Sequence, residues 1–345
     1  MSSIYNMSRE SLEKYFLDKN LAKFRATQVF EAIYRKKNKS FQEINNINKD
    51  VKNLLENDFT FSFLQLERKE ESFDGTVKFL FKLDDGNLIE TVLMKHSYGA
   101  SVCVTSEVGC NMGCSFCASG VVKKIRNLEP SEMVLQVLAV DDYLMQMGEK
   151  VSHVVVMGIG EPFDNFDNVL EFVRIINDAK GLEIGSRHIT ISTCGLVPKI
   201  IEFSDFPLQV NLAISLHFPN DELRSKYMPV NRKYNLTYLI DAVRKYYQKT
   251  NRRVTFEYIL LDGINDDLKC AKELVSLIKG LNAYVNLIPY NSTCHEFKRT
   301  TSEKRDKFFD YLNKNGVNAI LRKEHGSDID AACGQLRVKV LKENK

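Results

Sequence analysis

The sequence predicts an α/β protein in which a small N-terminal helical domain and a β-hairpin extension precede a partial (β/α)6 barrel of the TIM type. Three observations carry this. Residues 8–57 place apolar side chains at helical spacing with no strand-like run. A hairpin pattern follows, residues 76–83 and 88–94 around the turn Asp84-Asp85-Gly86-Asn87. From about residue 100, short apolar strands alternate with amphipathic helices, which implies parallel pairing with right-handed crossovers. The expected divisions are 1–58, 59–98 and 99–345.

In the helical unit the pattern is Leu12, Tyr15 and Phe16, then Val29, Phe30, Ile33 and Tyr34. Glu90 falls inside the second hairpin strand, where a solvent-facing position is the simplest reading. Residues 101–105 form the first barrel strand. Glu129-Pro130-Ser131-Glu132 then opens a helix running to 147, with Pro130 near its first position. Residues 151–157 are the second strand. Further strand and helix pairs are 188–193 with 198–203, 209–216 with 234–247, 253–261 with 268–278, and 283–288 with 302–315; a last strand spans 319–322.

The chain has 345 residues, 44% of them hydrophobic, enough for a sizeable core. No apolar run approaches the ~18 residues that span a bilayer, and the start lacks an export pattern, so a cytoplasmic protein without membrane association is expected. Eight cysteines in such a protein read as metal-binding or redox-active rather than as a disulfide scaffold. The net charge of +3 decides little. Basic clusters at Arg35-Lys36-Lys37, Lys123-Lys124, Arg232-Lys233, Arg252-Arg253 and Arg322-Lys323 permit a polyanionic partner, although each alone reads equally as a solvated face.

The sharpest motif is Cys110-x3-Cys114-x2-Cys117. A structural zinc ion needs a fourth ligand, and the next candidates downstream, His153 and Cys194, are distant; Cys103 upstream sits in a strand-like stretch. A [4Fe-4S] cube on three thiolates leaves one iron open to a small molecule, which points to catalysis. Other polar clusters fall at predicted strand ends: Gly158-Ile159-Gly160-Glu161-Pro162, Ser192-Thr193-Cys194-Gly195, Ser215-Leu216-His217, residues 262–266 and Asn291. In a parallel barrel that rim holds the chemistry. Singly, these are ordinary turn and packing residues. The glycine run lacks the spacing of a dinucleotide turn or a P-loop; its glycines would let backbone approach a ligand, and Glu161 could accept from an ammonium group. Cys333, between Ala331-Ala332 and Gly334, is a sterically open thiol suited to a nucleophile or acceptor, or else a small packing residue.

Together these residues resemble the RlmN/Cfr family of radical S-adenosylmethionine RNA methyltransferases. The likeness extends over nearly the whole chain, through residues 24–28, 89–92, 157–162, 191–193, 215–217, 228–231, 256–258, 286–291 and 328–336. The cysteine run marks the radical SAM superfamily, and Ala331-Ala332-Cys333-Gly334-Gln335-Leu336 marks this branch. The resemblance implies that Cys110, Cys114 and Cys117 hold one [4Fe-4S] cluster whose fourth iron takes S-adenosylmethionine. Phe116 would pack near its adenine, with Gly160, Glu161, Ser192, Ser215, Leu216, His217 and Asn291 around it. It further implies two S-adenosylmethionine molecules per turnover: one methylates Cys333, and the other is cleaved to a radical that activates that methyl group. Cys103 would be the resolving thiol, in a transient disulfide with Cys333, and Glu90 the proton acceptor.

The implied substrate is an adenosine of 23S rRNA, adenosine 2503 in the usual rRNA numbering. It is methylated at C2 in the RlmN branch, which also acts on adenosine 37 of certain tRNAs, and at C8 in the antibiotic-resistance Cfr branch. Pro162 favours C2, while Phe163, Cys194 and Phe218 depart from the commonest family residues. An electron donor such as flavodoxin or ferredoxin and a monomeric state are also expected, with Lys23, Arg25, Arg35, Lys36 and Lys37 on the RNA backbone. A non-catalytic RNA-binding protein with a structural metal knot would explain the basic clusters but not Cys103, Cys333 or the strand-end residues.

Overall fold

A computed structural model describes residues 1–291, 296–326 and 328–329. Cys294 and Cys333 lie outside the described residues. Helices α1 (Arg9–Asp18), α2 (Phe24–Tyr34) and α3 (Lys49–Asp58) make the N-terminal unit. Ser8 and Asn48 cap α1 and α3 by accepting from the backbone N–H of Ser11 and Val51. The apolar stripes of α1 and α2 do not make a core of their own. Leu12, Phe16, Val29, Phe30, Ile33 and Tyr34 join one continuous core with the rest of the protein. Polar bonds fix the docking: Ser11 Oγ donates to Glu171 at 2.9 Å, Arg9 Nε to Asp178 at 2.9 Å, and Lys37 Nζ lies 2.7 Å from both Asp141 and Asp142.

A single ten-stranded sheet organises the remainder, and its strands lie side by side in chain order. They are β1 (Gln65–Glu71), β2 (Val77–Lys82), β3 (Leu88–His96), β4 (Gly99–Cys103), β5 (Val151–Val156), β6 (Ile189–Thr193), β7 (Asn211–Ser215), β8 (Val254–Leu260), β9 (Ala283–Pro289) and β10 (Asn318–Leu321). Pairs from β1 to β4 are antiparallel; from β4 to β10 all are parallel. The expected hairpin is β2 and β3, with Lys82 opposite Leu88. It is continuous with the barrel sheet, because β3 also pairs with β4, Val92 opposite Cys103. Strand β1, with the sequence Gln-Leu-Glu-Arg-Lys-Glu-Glu, lacks apolar alternation because it is an edge strand, where charge discourages further pairing.

Crossovers are made by α4 (Pro130–Met145), α5 (Phe166–Asn177), α6 (Val197–Phe203), α7 (Asp221–Tyr227), α8 (Leu236–Thr250), α9 (Leu268–Leu277) and α10 (Ser302–Lys314). Pro130 opens α4 as expected, inside a Glu129/Glu132 capping box. Helices α5 and α7 are additions to the expected set. Alternation along β5 sends Val154 and Val156 to the helix layer, whereas Val155 packs with Met94 and Cys103 on the other face.

The barrel is incompletely closed. Among the described residues β1 and β10 are unpaired edges, and the gap is bridged by loops. Gly326 N–H donates to Asp74 Oδ2 at 3.0 Å, Phe73 N–H to Asp328 Oδ2 at 3.2 Å, and the His96 and His325 rings meet edge-on at 4.7 Å. No helix among the described residues is long and apolar enough to cross a membrane.

Candidate active site

The three motif cysteines sit on the loop that leaves β4. Gly109 and Gly113 take left-handed backbone there (φ +84° and +68°), and a Cβ on Gly109 would fall 2.2 Å from the Lys123 carbonyl oxygen. The loop is closed by Cys110 N–H to the Val122 carbonyl at 3.0 Å and tied to α7 by Ser115 N–H to the Tyr227 carbonyl at 3.0 Å. Burial pushes the Cys110 thiol up to about 12 and Cys114 well above the usual thiol range; the neighbouring cysteines push Cys114 further. Such thiols ionise readily only against a bound cation.

These residues fit an iron–sulfur cluster. Cys114 and Cys117 lie under an apolar cover that includes Phe116, Cys194, Phe218, Met228 and Tyr290. Three soft donors on one loop under such a cover match the ligation and shielding that a [4Fe-4S] cube needs. Among the described residues no three His, Cys, Asp or Glu side chains converge closely enough for a single metal ion; in a cube each thiolate binds a different iron.

The predicted rim residues follow in order. Beyond β5, the close neighbours of Gly158 and Gly160 belong to the chain itself. A Cβ on Gly158 would meet Thr105 at 2.7 Å, and one on Gly160 (φ +112°) would meet Glu107 at 2.6 Å. Glu161 is 3% exposed, and its carboxylate accepts from Phe163 N–H at 3.0 Å and Cys194 N–H at 2.7 Å. It thus clamps the end of β5 to the end of β6; burial raises its pKa. Glu107 accepts from Glu161 N–H at 2.9 Å and pairs with Lys124 at 2.5 Å, while burial pushes its own carboxyl up to about 7.

Ser192 and Ser215 stand at the ends of β6 and β7 with hydroxyl oxygens 3.2 Å apart. Leu216 is wholly buried, its N–H donating to the Glu257 carbonyl at 3.1 Å and its carbonyl accepting from Arg224 Nε at 3.2 Å. His217 adopts left-handed backbone (φ +58°), and its ring meets the Phe116 ring edge-on at 5.1 Å. Its Nδ1 accepts from Ile259 N–H at 3.2 Å, which assigns the proton of the neutral ring to Nε2. Burial, with the nearby Arg224, lowers its pKa to about 3. Asn265 holds this corner by donating to the carbonyls of His217 and Ile259, each at 2.7 Å.

A cavity of about 250 Å3 opens beside the cysteine loop. Phe116, Cys117 and Ala118 line one side and Val92 and Met94 of β3 another, with Asn291, Arg322 and His325 among the remaining lining residues. Cys103 is buried against Val92 and Met94 and so stands at that wall. Glu90 lies on the same face of β3 as Val92, is 3% exposed rather than solvent-facing, and pairs with the wholly buried Lys78 at 2.9 Å. The structure therefore brings Phe116, Cys117 and Asn291 to one space, with Cys103 packed against the Val92 and Met94 wall and Glu90 buried further along the same face of β3.

Sequence reasoning missed Arg224, Glu107 and Lys78, and gave Asn265 only as one of the rim residues 262–266. A buried arginine or lysine carries the same letter as a surface one, and only tertiary contacts distinguish them. Of the basic residues expected on RNA, Lys37 is occupied by Asp141 and Asp142, and Arg35 donates to the Ala179 carbonyl, whereas Lys23 and Lys36 are exposed.

Comparison with known proteins adds an independent line. Residues 105–274 match the Radical SAM superfamily, and residues 2–60 match the ribosomal RNA large subunit methyltransferase N-terminal domain. A probable dual-specificity RNA methyltransferase RlmN from Enterococcus faecalis is 55% identical over 99% of this chain and 98% of its own. Its counterpart from Spiroplasma citri is 56% identical over 98% of both. The crystal structure of a radical SAM methyltransferase from Sphaerobacter thermophilus superimposes with a TM-score of 0.91 at 41% identity, over 97% of this chain and 99% of that one.

Proposed function

The chain belongs to the RlmN family of dual-specificity RNA methyltransferases in the radical SAM superfamily, and we propose that it methylates C2 of adenosine 2503 in 23S rRNA and of adenosine 37 in certain tRNAs. The observation that carries this reading is the single cavity bounded by the cysteine loop on one side and, on the other, by the β3 wall against which Cys103 packs. A thiol outside the metal-binding motif at that wall suits covalent handling of a methyl group better than structural metal binding.

In this reading Cys110, Cys114 and Cys117 hold one [4Fe-4S] cluster, and Gly160, Glu161, Ser192, Ser215, Leu216, His217 and Asn291 surround S-adenosylmethionine, two molecules of which serve each turnover. When bound, these groups supply the one-electron chemistry that adenine C2, flanked by two ring nitrogens and electron-poor, demands. Glu161 orients the β5 and β6 ends through its two backbone bonds, and neutral His217 presents an N–H from Nε2. Cys333 takes the methyl group, its sulfur–carbon bond forming as the sulfonium–methyl bond breaks. Glu90 accepts the proton lost from the base. Cys103 then attacks the Cys333 sulfur, the sulfur–sulfur bond forming as the bond from that sulfur to the carbon now on the base breaks and that carbon takes up a proton, which releases the methylated product; a cytoplasmic electron donor of the flavodoxin or ferredoxin class serves the cluster. The 1–58 unit contributes to RNA binding, and the enzyme acts as a monomer.

Mass spectrometry of nucleosides from rRNA exposed to the reconstituted enzyme tests the reading. It should show 2-methyladenosine; 8-methyladenosine would overturn the regiochemistry, and stoichiometric zinc without iron would sink the enzyme itself. Cys103→Ala should leave protein covalently attached to RNA, detected as a shifted band on a denaturing gel. Recovery of only free methylated RNA would remove Cys103 from the resolving role.

A further inference from the structure

Arg224 heads the largest fully buried side chains of the described residues. Its guanidinium donates from Nε to the Leu216 carbonyl at 3.2 Å, from Nη1 to Asn231 Oδ1 at 2.8 Å, and from Nη2 to the carbonyls of Cys194 and Ser215 at 2.6 and 3.4 Å. Every one of these acceptors is neutral. Among the described residues Arg224 enters no ion pair, and the nearest acidic side chain in its network, Asp221, is reached only through Asn231. Arginine stays protonated in proteins, and a buried charge without a counter-ion is strongly unfavourable. Such a cation implies an anion close by.

Burial works against its charge, and Cys194, whose carbonyl takes Nη2 at 2.6 Å, belongs to the apolar cluster against which Cys114 packs, so the guanidinium stands on the Cys114 side of the cysteine loop. Its helix also carries the cysteine loop. Ser115 N–H donates at 3.0 Å to the carbonyl of Tyr227, the last residue of α7, and a Cβ on Gly113 would touch Pro229 just beyond it at 3.4 Å. One side chain therefore ties together the ends of β6 and β7 while standing on the element that braces the metal-binding loop.

We propose that Arg224 is a positioning residue and the counter-cation of the cluster: it fixes the carbonyls of Cys194, Ser215 and Leu216 and sets a permanent positive charge on the Cys114 side of the cluster site, making the cluster easier to reduce. Reduction adds one electron to an already anionic centre, and a fixed cation in a poorly solvated setting favours the reduced form. The inference rests on Cys110, Cys114 and Cys117 holding a [4Fe-4S] cluster. Iron and sulfide analysis of the unaltered protein tests that reading first, so its failure is distinct from a failure of the role given to Arg224.

The deciding measurement is the cluster midpoint potential, from an anaerobic dithionite titration followed by electron paramagnetic resonance. Arg224→Gln should shift the redox equilibrium at least tenfold toward the oxidised cluster, about 59 mV for a one-electron couple. Arg224→Lys, which keeps the charge but not the fork of donors, should stay within that margin of the unaltered protein while melting at a lower temperature. An unchanged midpoint in Arg224→Gln at full iron content would overturn the proposal, as would an equal fall in Arg224→Lys. Should Arg224→Gln not accumulate as folded protein, the paired exchange Asp221→Asn with Asn231→Asp decides. Asn231 Nδ2 donates to Asp221 Oδ1 at 2.8 Å, so the exchange reverses that bond at the cost of the Leu236 N–H bond to the same oxygen, retains Arg224, and sets a carboxylate against Nη1. The midpoint should again fall at least tenfold in equilibrium terms; a purely scaffolding arginine would leave it unmoved.

Discussion

His217 holds a left-handed backbone and accepts a hydrogen bond at Nδ1, so protonation would break that bond inside an apolar corner. Its native pKa is lowered to about 3 from an ordinary 6.5. The unfolded chain therefore binds the proton first, and this residue's contribution to stability falls as pH drops from about 6.5 toward 3, by at most ~1.4 kcal/mol per pH unit. His217→Asn, which tolerates the same backbone, should flatten that part of the urea-denaturation profile relative to the unaltered protein; parallel profiles would refute the buried neutral ring. Lys78 and Glu90 make a second sharp test. Lys78→Met removes a wholly buried cation 2.9 Å from Glu90 and should cost about 3–5 kcal/mol in urea unfolding, much of it regained on adding Glu90→Gln. At this scale the sequence told most where chemistry restricts residue choice, as at Cys110, Cys114 and Cys117. It told least where an ordinary letter is made special by burial, as at Lys78 and Arg224.

Among elements, the parallel strands and most of their helices were readable because apolar runs of strand length alternate with helical periodicity. Helix α5 escaped notice although seven of its residues, Phe166 to Ile176, are buried; the glycine- and proline-rich segment before it drew the reading toward a turn. Strand β1 escaped for the opposite reason, being an edge without an apolar face. The helical unit was legible as helices but not as part of a shared core, since periodicity says which face is buried and not against what. Its seam passes at Gly181, where an added Cβ would lie 2.7 Å from the Phe30 ring. Gly181→Ala should therefore lower stability by about 1–3 kcal/mol through overpacking, measured by denaturant unfolding, with the N-terminal helices and barrel still melting together. Separate transitions for the two would show that the seam is not cooperative.

For the whole molecule, closure depends on the loop strap at Asp74. Burial works to raise this carboxyl, but N–H donors from Thr76 and Gly326 outweigh it and hold the pKa well below the usual value of 3.8. A depressed native pKa means that the stabilisation is present above the unfolded value and is lost as pH falls through 3.8 and below. The protection factor of the Gly326 amide, its exchange rate relative to an unprotected amide at the same pH, should fall on acidification below about pH 4, and Asp74→Asn should lower it already at neutral pH; unaltered protection in the variant would show that the strap is held elsewhere. The partial barrel could be anticipated from the number of strand–helix units, but not this strap, which joins residues more than 250 positions apart through a turn and a loop without periodic signature.

The unbroken order of the ten strands bears on how the protein is made as well as on how it stands. Each new strand pairs with the one synthesised just before it, so a nascent chain can extend a finished edge without waiting for distant partners. Residues 1–291 already include the cysteine loop, its α7 brace and the rim from Gly160 to Asn291. The residues proposed to hold the cofactors are thus all translated before Cys333, the residue proposed to carry the methyl group.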